Sequence, residues 1–232
     1  MASLSLPVVE TFHSLQGEGL QAGRSAFFIR LAGCSVGCPW CDTKHSWPQG
    51  NHPARSLADL AGEAAAAAAA GAAFVVITGG EPLHHTLDPL CMALRQATSS
   101  PDRPEGLPLH LETSGVDPLS GRFHWITLSP KRHRPPSGEL LGSCDELKVV
   151  VHEPADLEFA EAMAAQAAAA RQGIAVRSGA AGDPANPDGD GPALLLQPGW
   201  DCRRGQELAI AFVRAHPAWR LSLQSHKWLG VR

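Results

Sequence analysis

An α/β fold, an open or partial barrel of mostly parallel strands, is predicted by three features of the sequence. Short, nearly continuous apolar runs recur along the chain, as strands covered on both faces require. Longer stretches of helix-forming composition lie between several of them. Small and polar motifs follow five of the runs directly, at the carboxyl ends where α/β sheets hold their ligands.

The first run is Phe27–Leu31 (FFIRL), which leads into Ala-Gly-Cys. Ser56 to Ala70 then reads as a helix, with Ser56 able to cap its first turn. Its seven consecutive alanines need no explanation beyond the high helix propensity of Ala. Phe74–Thr78 (FVVIT) is the next strand and runs into Gly-Gly-Glu-Pro, followed by a helix over Asp88–Thr98. Leu109–Glu112 leads into Thr-Ser-Gly, and Trp125–Leu128 into Ser-Pro-Lys. Leu147–Val151 precedes a helix over Asp156–Gln172, broken off by Gly173. Arg177 to Pro192 is rich in Gly, Pro, Asp and Asn, and is expected to be a mobile surface loop. Leu194–Gln197 then leads into Gln-Pro, followed by a helix over Gly205–His216 and a last strand, Arg220–Gln224. Strand-like sequence resumes beyond the loop, so residues 1–232 are expected to form a single domain.

A chain of 232 residues can bury roughly 70% of its extended surface, so its core needs no disulfides. The net charge of -4 argues against a general nucleic-acid binder. The longest uncharged apolar run, Ala64 to Ile77, is too short to span a bilayer, and the first residues show no signal-peptide pattern. A cytoplasmic protein without nucleic-acid or membrane partners is therefore expected.

Cys34, Cys38 and Cys41 crowd into eight residues, whereas Cys91, Cys144 and Cys202 stand alone and read as small apolar packers. That distribution points to metal or redox chemistry rather than a disulfide framework. Gly33, Gly37 and Pro39 make the cluster a loop, able to fold three thiolates around one centre. Zinc would take a fourth ligand, from His45 or a distant cysteine. A [4Fe–4S] cluster on three thiolates would keep one iron open to a ligand. Spacing alone leaves both open.

Cys34-x3-Cys38-x2-Cys41, with Trp40 before the last cysteine, resembles the radical S-adenosylmethionine signature. Thr78-Gly-Gly-Glu-Pro82 resembles the same superfamily's methionine-binding segment. The flanks resemble the 7-carboxy-7-deazaguanine synthase family more narrowly. They are Ser14-Leu-Gln-Gly-Glu-Gly19, Gly23-Arg24, Arg30-Leu-Ala-Gly-Cys34, Cys41-Asp-Thr43, Glu112-Thr-Ser-Gly115, Ser129-Pro-Lys131, Asp145-Glu-Leu-Lys148, Gln197-Pro198 and Gln224-Ser-His-Lys227. The match runs in order from about Glu10 to the C-terminus.

The resemblance implies a partial TIM-like barrel of radical SAM type. It also implies a lyase that contracts 6-carboxy-5,6,7,8-tetrahydropterin to 7-carboxy-7-deazaguanine with loss of ammonia, in 7-deazapurine (queuosine precursor) synthesis. The implied cofactors are a [4Fe–4S] cluster on Cys34, Cys38 and Cys41, S-adenosylmethionine on its open iron, and Mg²⁺ on Thr43. The cofactor side would be lined by Trp40, Cys41, Asp42, Gly80, Glu81, Glu112, Ser114, Ser129, Pro130, Lys131 and Gln197. The substrate side would be lined by Leu15, Gln16, Gly17, Glu18, Arg30, Thr78, His226 and Arg232. An electron donor such as a flavodoxin or ferredoxin, and a homodimer, complete the implied partners.

Several of these assignments have physical reasons. Gly79 and Gly80 would let backbone carbonyls approach an ammonium group, with Glu81 as countercharge; a plain strand exit explains the glycines alone. Arg30 stands in a strand with apolar neighbours, so its guanidinium needs an anion. A substrate carboxylate would serve, as would an internal acid such as Glu18. Gln16 and Glu18 carry the donors and acceptors a pterin edge requires. The tail carries Trp228, Leu229 and Val231, apolar residues worth burying; the resemblance places it over the substrate with its terminal carboxylate on the pterin's donors, and a tail that only caps the core is the alternative. Two other activities remain open on the residues alone. One is another radical S-adenosylmethionine enzyme, such as a glycyl-radical activase; the other is a zinc-stabilised binding module using Cys34, Cys38, Cys41 and His45. The Gln16–Glu18 turn and the Gln224–Lys227 segment favour a small pterin over a protein partner.

Overall fold

The computed structural model describes residues 4–173 and 191–232. All but the last two residues of the 177–192 stretch therefore lie outside the described residues. Nine strands form one open sheet in the order β3-β1-β2-β4-β5-β6-β7-β8-β9. They are β1 (Ser5–Leu15), β2 (Ser25–Leu31), β3 (Ala54–Ser56), β4 (Phe74–Gly79), β5 (Leu109–Thr113), β6 (Trp125–Leu128), β7 (Glu146–Val151), β8 (Ala193–Pro198) and β9 (Trp219–Leu221). From β2 to β9 every pairing is parallel, while β1 runs antiparallel to both β2 and β3. The sheet is thus the open, mostly parallel one expected, extended by an antiparallel edge.

The helices are α1 (Leu57–Ala69), α2 (Asp88–Thr98), α3 (Gly138–Ser143), α4 (Pro154–Gly173), α5 (Arg203–Ala215) and α6 (Ser225–Leu229). Ser56 caps α1 as anticipated, its hydroxyl accepting from the Asp59 N–H at 3.1 Å. Cys202, read from sequence as an apolar packer, instead caps α5 by accepting from the Gly205 N–H at 3.3 Å. No helix among the described residues is long and apolar enough to cross a membrane.

Several elements depart from the sequence reading, among them the short β3 and α3, which it did not include. β1 is a long strand hidden by Pro7 and by alternating polar residues, as suits an antiparallel edge. The last strand stops at Leu221, and residues 225–229 turn into α6.

Along the parallel strands the side chains alternate, and the alternation sorts them by chemistry. Phe27, Ile29, Leu31, Val75, Ile77, Leu109, Leu111, Leu147 and Val149 join the main core with Leu60, Leu94, Leu140 and Met163 of the helices. Ala26, Phe28, Phe74 and Val76 point the other way and form a small second core. His110 stacks on Phe74 with centroids 4.1 Å apart, and burial lowers its imidazole pKa to about 3. One step further along the strands, this inner face turns polar. Arg30 stands opposite Thr78, Glu112 opposite Thr127, and Thr127 opposite Glu146. The runs are therefore not uniformly apolar: Arg30, Thr78, Glu112 and Thr127 align in a polar row at inward positions, and Lys148 and Gln197 are inward polar residues of two further runs.

The alanine run has a packing role as well as a propensity one. Ala64 and Ala67 are buried on the inner stripe of α1, while Ala66 and Ala69 are exposed. Ala64→Leu is expected to destabilise the protein by about 1–3 kcal/mol through overpacking. Ala66→Leu is expected to stay within about 0.5 kcal/mol of the parent. Urea denaturation of the two variants checks the difference.

Candidate functional site

The polar row opens on a cavity of about 770 Å³. Every residue assigned to the site from sequence lines it except Pro130, which is buried between Ser129 and Lys131. The cysteine loop forms one wall, and Cys34, Cys38 and Cys41 all face the cavity as free thiols.

The cysteine loop belongs to neither sheet nor long helix, so its backbone groups need outside partners. The Ser35 N–H donates to His84 Nε2 at 3.0 Å, and His84 Nδ1 is held by Asp117. His85 Nε2 donates to the Ala32 carbonyl at 2.8 Å. His133 Nε2 donates to the Val36 carbonyl at 3.0 Å, and Arg134 Nη1 to the Ser35 carbonyl at 2.7 Å. The His84-His85 pair and the basic 131–134 segment thus clamp the loop from outside, a role their sequence positions did not reveal.

Within this frame the donor set fits an iron–sulfur cluster. Backbone N–H groups of Val36 and Gly37 point at the Cys34 sulfur, and the Thr43 N–H donates to Cys41 Sγ at 3.4 Å. Burial raises the Cys38 thiol, and the Lys131 ammonium pulls it back. A Cβ on Gly80 would stand 2.3 Å from the Gly33 carbonyl oxygen and 3.0 Å from Cys34 Cβ, so only glycine lets these segments meet. Among the described residues, no three His, Cys, Asp or Glu side chains converge to hold a single metal ion.

Glu81 departs from its anticipated role. It is 1% exposed and accepts from Thr113 Oγ1 at 2.5 Å, Ser114 N at 2.8 Å, Ser114 Oγ, and Leu83 N at 3.0 Å. Its carboxylate fastens the β4 exit to the β5 exit instead of standing free as a countercharge. Gly79 likewise serves packing: its φ is +134°, and a Cβ there would meet the Leu31 carbonyl at 2.1 Å. Beyond β6, Lys131 Nζ donates to Ser129 Oγ at 2.8 Å, and burial holds this lysine below its ordinary pKa.

On the opposite wall, Gln16, Gly17 and Glu18 in the β1–β2 turn reach across to the far strands. Gln16 Nε2 donates to Glu112 Oε1 at 2.9 Å, and Thr78 Oγ1 donates to Glu112 Oε2 at 3.0 Å. Glu18 accepts from Lys148 Nζ, from Gln197 Nε2 at 3.1 Å and from Gln224 Nε2 at 2.9 Å. Gln197 also accepts from Ser222 Oγ at 2.8 Å, so both ends of its amide are held by protein rather than left for an adenine. Burial opposes the charge on Glu18, but Lys148 outweighs it and takes the carboxyl down to about 2. Burial equally opposes the charge on Lys148, yet Glu18, Glu112 and Glu146 hold it above the ordinary lysine range. Beneath them Glu146 is 1% exposed, with Oε2 on the Leu20 N–H at 2.9 Å and Oε1 without a partner among the described residues. Burial raises its carboxyl. Glu146 and Lys148 fall in the Asp145–Lys148 motif but were given no site role from sequence, and Thr127 was not singled out, although the period-2 pattern of β6 and β7 contained all three.

The internal acid beside Arg30 is Glu10 rather than Glu18. Arg30 Nε donates to Glu10 Oε1 at 3.0 Å, and the arginine side chain is 22% exposed rather than buried. The tail also differs from expectation. Trp228 is 78% exposed, Leu229 64% and Val231 40%. Trp228 stands edge-on to Trp200 at 6.1 Å, and Lys227 lies over the Trp200 ring, with no core beneath α6 to receive them. Lys227 Nζ also pairs with Asp42. Burial opposes the Asp42 charge, but hydrogen bonds from Lys227 and Thr43 take its carboxyl down to about 2. Thr43 Oγ1 donates to Asp42 Oδ1 at 2.8 Å, which orients its lone pairs away from Asp42. His226 packs on Gly17, where a Cβ would fall 2.1 Å from its Nδ1.

A model of the Radical SAM superfamily matches residues 28–123. The chain is 55% identical over 229 residues to the 7-carboxy-7-deazaguanine synthase of Prochlorococcus marinus, covering 99% of each chain. It is 31% identical over 250 residues to the 7-carboxy-7-deazaguanine synthase of Escherichia coli K12, covering 98% of this chain and 100% of that one. The crystal structure of QueE from Escherichia coli superposes with a TM-score of 0.71 at 31% identity, covering 96% of this chain and 95% of that one.

The Glu18–Lys148 pair yields a prediction. Lys148→Ala leaves the part-buried Glu18 carboxylate without its cation, and is expected to cost about 3 kcal/mol of stability at neutral pH. Because the folded Glu18 carboxyl lies at about 2 against an ordinary 4.5, its contribution is complete above 4.5 and is lost as pH falls toward 2. A Glu18→Gln/Lys148→Met double variant should therefore lose stability less steeply across that window than the parent does. Equal slopes in urea titrations over that range would refute the assignment.

Proposed function

The chain belongs to the 7-carboxy-7-deazaguanine synthase family of the radical SAM superfamily, and we propose that it converts 6-carboxy-5,6,7,8-tetrahydropterin to 7-carboxy-7-deazaguanine with loss of ammonia, in 7-deazapurine (queuosine precursor) synthesis. One observation carries the reading: three free thiols, Arg30 and the Gln16–Glu18 turn all open on a single cavity. Its volume, about 770 Å³, suits a nucleoside cofactor beside a bicyclic substrate.

A [4Fe–4S] cluster with S-adenosylmethionine on its open iron supplies the radical chemistry when bound. In this chain Cys34, Cys38 and Cys41 would hold the cluster. Trp40, Asp42, Gly80, Ser114, Ser129 and Lys131 would line the S-adenosylmethionine side. Glu81, Glu112 and Gln197 would act there chiefly by positioning, since their polar atoms are bound to protein. The Lys131 ammonium, held on Ser129, offers its remaining N–H groups to a carboxylate. Thr43 would bind Mg²⁺ through a hydroxyl whose proton goes to Asp42.

For the substrate, Arg30 keeps its Nη groups for the carboxylate, because only Nε is used by Glu10. Leu15, Gln16, Gly17, Glu18, Thr78 and His226 would surround the pterin. Glu18 is charged throughout the neutral range, and the one lone pair left on its Oε1 can accept from a pterin N–H group. The Lys227–Asp42 pair holds the 224–227 segment against the cysteine loop at the rim, where it restricts water. The same reading includes an electron donor such as a flavodoxin or ferredoxin, a homodimer, a cytoplasmic location and a single domain spanning residues 1–232.

Replacing Cys34, Cys38 or Cys41 by Ala is expected to remove iron and sulfide from anaerobically purified protein, while replacing Cys91, Cys144 or Cys202 leaves both in place. Iron and sulfide retained after loss of one of the three, or zinc in their stead, would refute the cluster assignment. Thr43→Ala is expected to flatten the dependence of rate on Mg²⁺, and superimposable magnesium titrations of variant and parent would remove Thr43 from the site.

A further inference from the structure

Glu10 stands in β1 directly opposite Arg30 in β2, just past a register irregularity between Val8 and Glu10. Such irregularities re-aim side chains. The Glu10 carboxylate lies between two guanidinium groups: Oε1 accepts from Arg30 Nε at 3.0 Å, and Oε2 accepts from Arg232 Nη1 at 2.7 Å. Phe12, two residues along the same strand, stacks on Phe28 at 4.8 Å and lies under the Arg30 guanidinium at 5.9 Å. Arg30 is thus fixed by an anion on Nε and by a ring on one face. Glu10, Phe12, Arg30 and Arg232 all line the cavity.

The Arg232 side chain is 73% exposed, and an exposed ion pair stabilises a fold little. Stability therefore does not account for a second arginine brought to the same carboxylate at the rim of the site. Anion recognition does. The three side chains together carry one net positive charge, and the unused Nη donors of both arginines are available to a ligand. Resting on the reading of Arg30 as the partner of the substrate carboxylate, we propose that Arg232 is a second recognition group for that carboxylate, with Glu10 as the positioning residue that holds the two arginines side by side. The pair would set the preference for 6-carboxylated pterins over uncharged 6-substituted ones.

The test compares two probes on the cluster-loaded protein: pterin-6-carboxylate, followed by its own fluorescence, and uncharged 6-hydroxymethylpterin. Arg232→Ala should weaken pterin-6-carboxylate binding by about tenfold, the size of one lost charge-assisted hydrogen bond. The 6-hydroxymethylpterin affinity should not move. KM for the carboxypterin should rise by a similar factor while kcat stays within about twofold, as for loss of uniform binding. Arg232→Lys should recover part of the loss. Glu10 gives a sharper test, because its two possible effects have opposite signs. If it positions the arginines, Glu10→Gln weakens pterin-6-carboxylate and Glu10→Asp recovers part of that loss. If it merely competes as an anion, Glu10→Gln tightens the probe, and the positioning role is overturned. Equal weakening of both probes by Arg232→Ala would also overturn the proposal. Arg30→Ala serves as reference. If it loses the carboxylate preference while Arg232→Ala keeps it, the present inference fails and the proposed function stands. If Arg30→Ala itself keeps the preference, the underlying reading of the site fails.

Discussion

The ion pair between Glu18 and the buried Lys148 is the constraint on which the site depends. Lys148 is the cation facing Glu18, Glu112 and Glu146, three acids on or against the inner face of the sheet. Removing carboxylates from water is expensive, and a paired buried charge rarely adds net stability. Its effect is geometric. By pinning Glu18, Lys148 fastens the β1–β2 turn to β7, and Gln197 and Gln224 extend the attachment to β8 and to the segment before α6. Gln16 then reaches Glu112, which receives Thr78 in turn. An open sheet leaves its two edges apart, and this polar chain joins the turn beside one edge to strands near the other.

A second constraint acts on the cysteine loop. The loop must present sulfur to the cavity, so it cannot satisfy its own backbone by folding into helix or sheet. His84, His85, His133 and Arg134 meet that need from outside. Gly79 and Gly80 bring the β4 exit close enough to β2 that their successor Glu81 can donate its N–H to the Gly33 carbonyl at 2.9 Å. The same Glu81 carboxylate binds Thr113 and Ser114, so three strand exits are joined through one residue.

What was legible in the sequence follows from the range of each interaction. Strand exits, the Ser56 cap and the thiol loop are local patterns, and they lie where sequence reading put them. Lys148, 130 residues from Glu18, and Gln224, 206 residues from it, have partners that no local pattern can name. The inward polar row was hidden for another reason. Runs such as FFIRL and FVVIT show Arg30 and Thr78 singly, but that they align across strands on the face opposite Ile29 and Ile77 depends on a register no single run contains. The exposed tail marks the limit of hydrophobicity as a guide. Trp228 and Leu229 are apolar, but a helix of five residues beyond the last strand finds no core to cover.

The distribution of unused polar groups determines which ligands the cavity favours. Most of its acceptors are already engaged: Glu81 by four donors, Glu112 by two, Glu18 by three, and Glu10 by two arginines. Its donors are not. Arg30 retains its Nη groups, Lys131 has given only one hydrogen bond, and Arg232 uses Nη1 alone. A wall whose acceptors are satisfied and whose cationic donors are free selects for anionic oxygens. Both ligands of the proposed reaction carry a carboxylate, and the free cations divide between the two ends of the cavity: Lys131 beyond β6, Arg30 and Arg232 by the antiparallel edge. The internal carboxylate bonds thus do more than hold the fold, because by occupying the acceptors they leave ligand carboxylates as the anions that the remaining cations can bind.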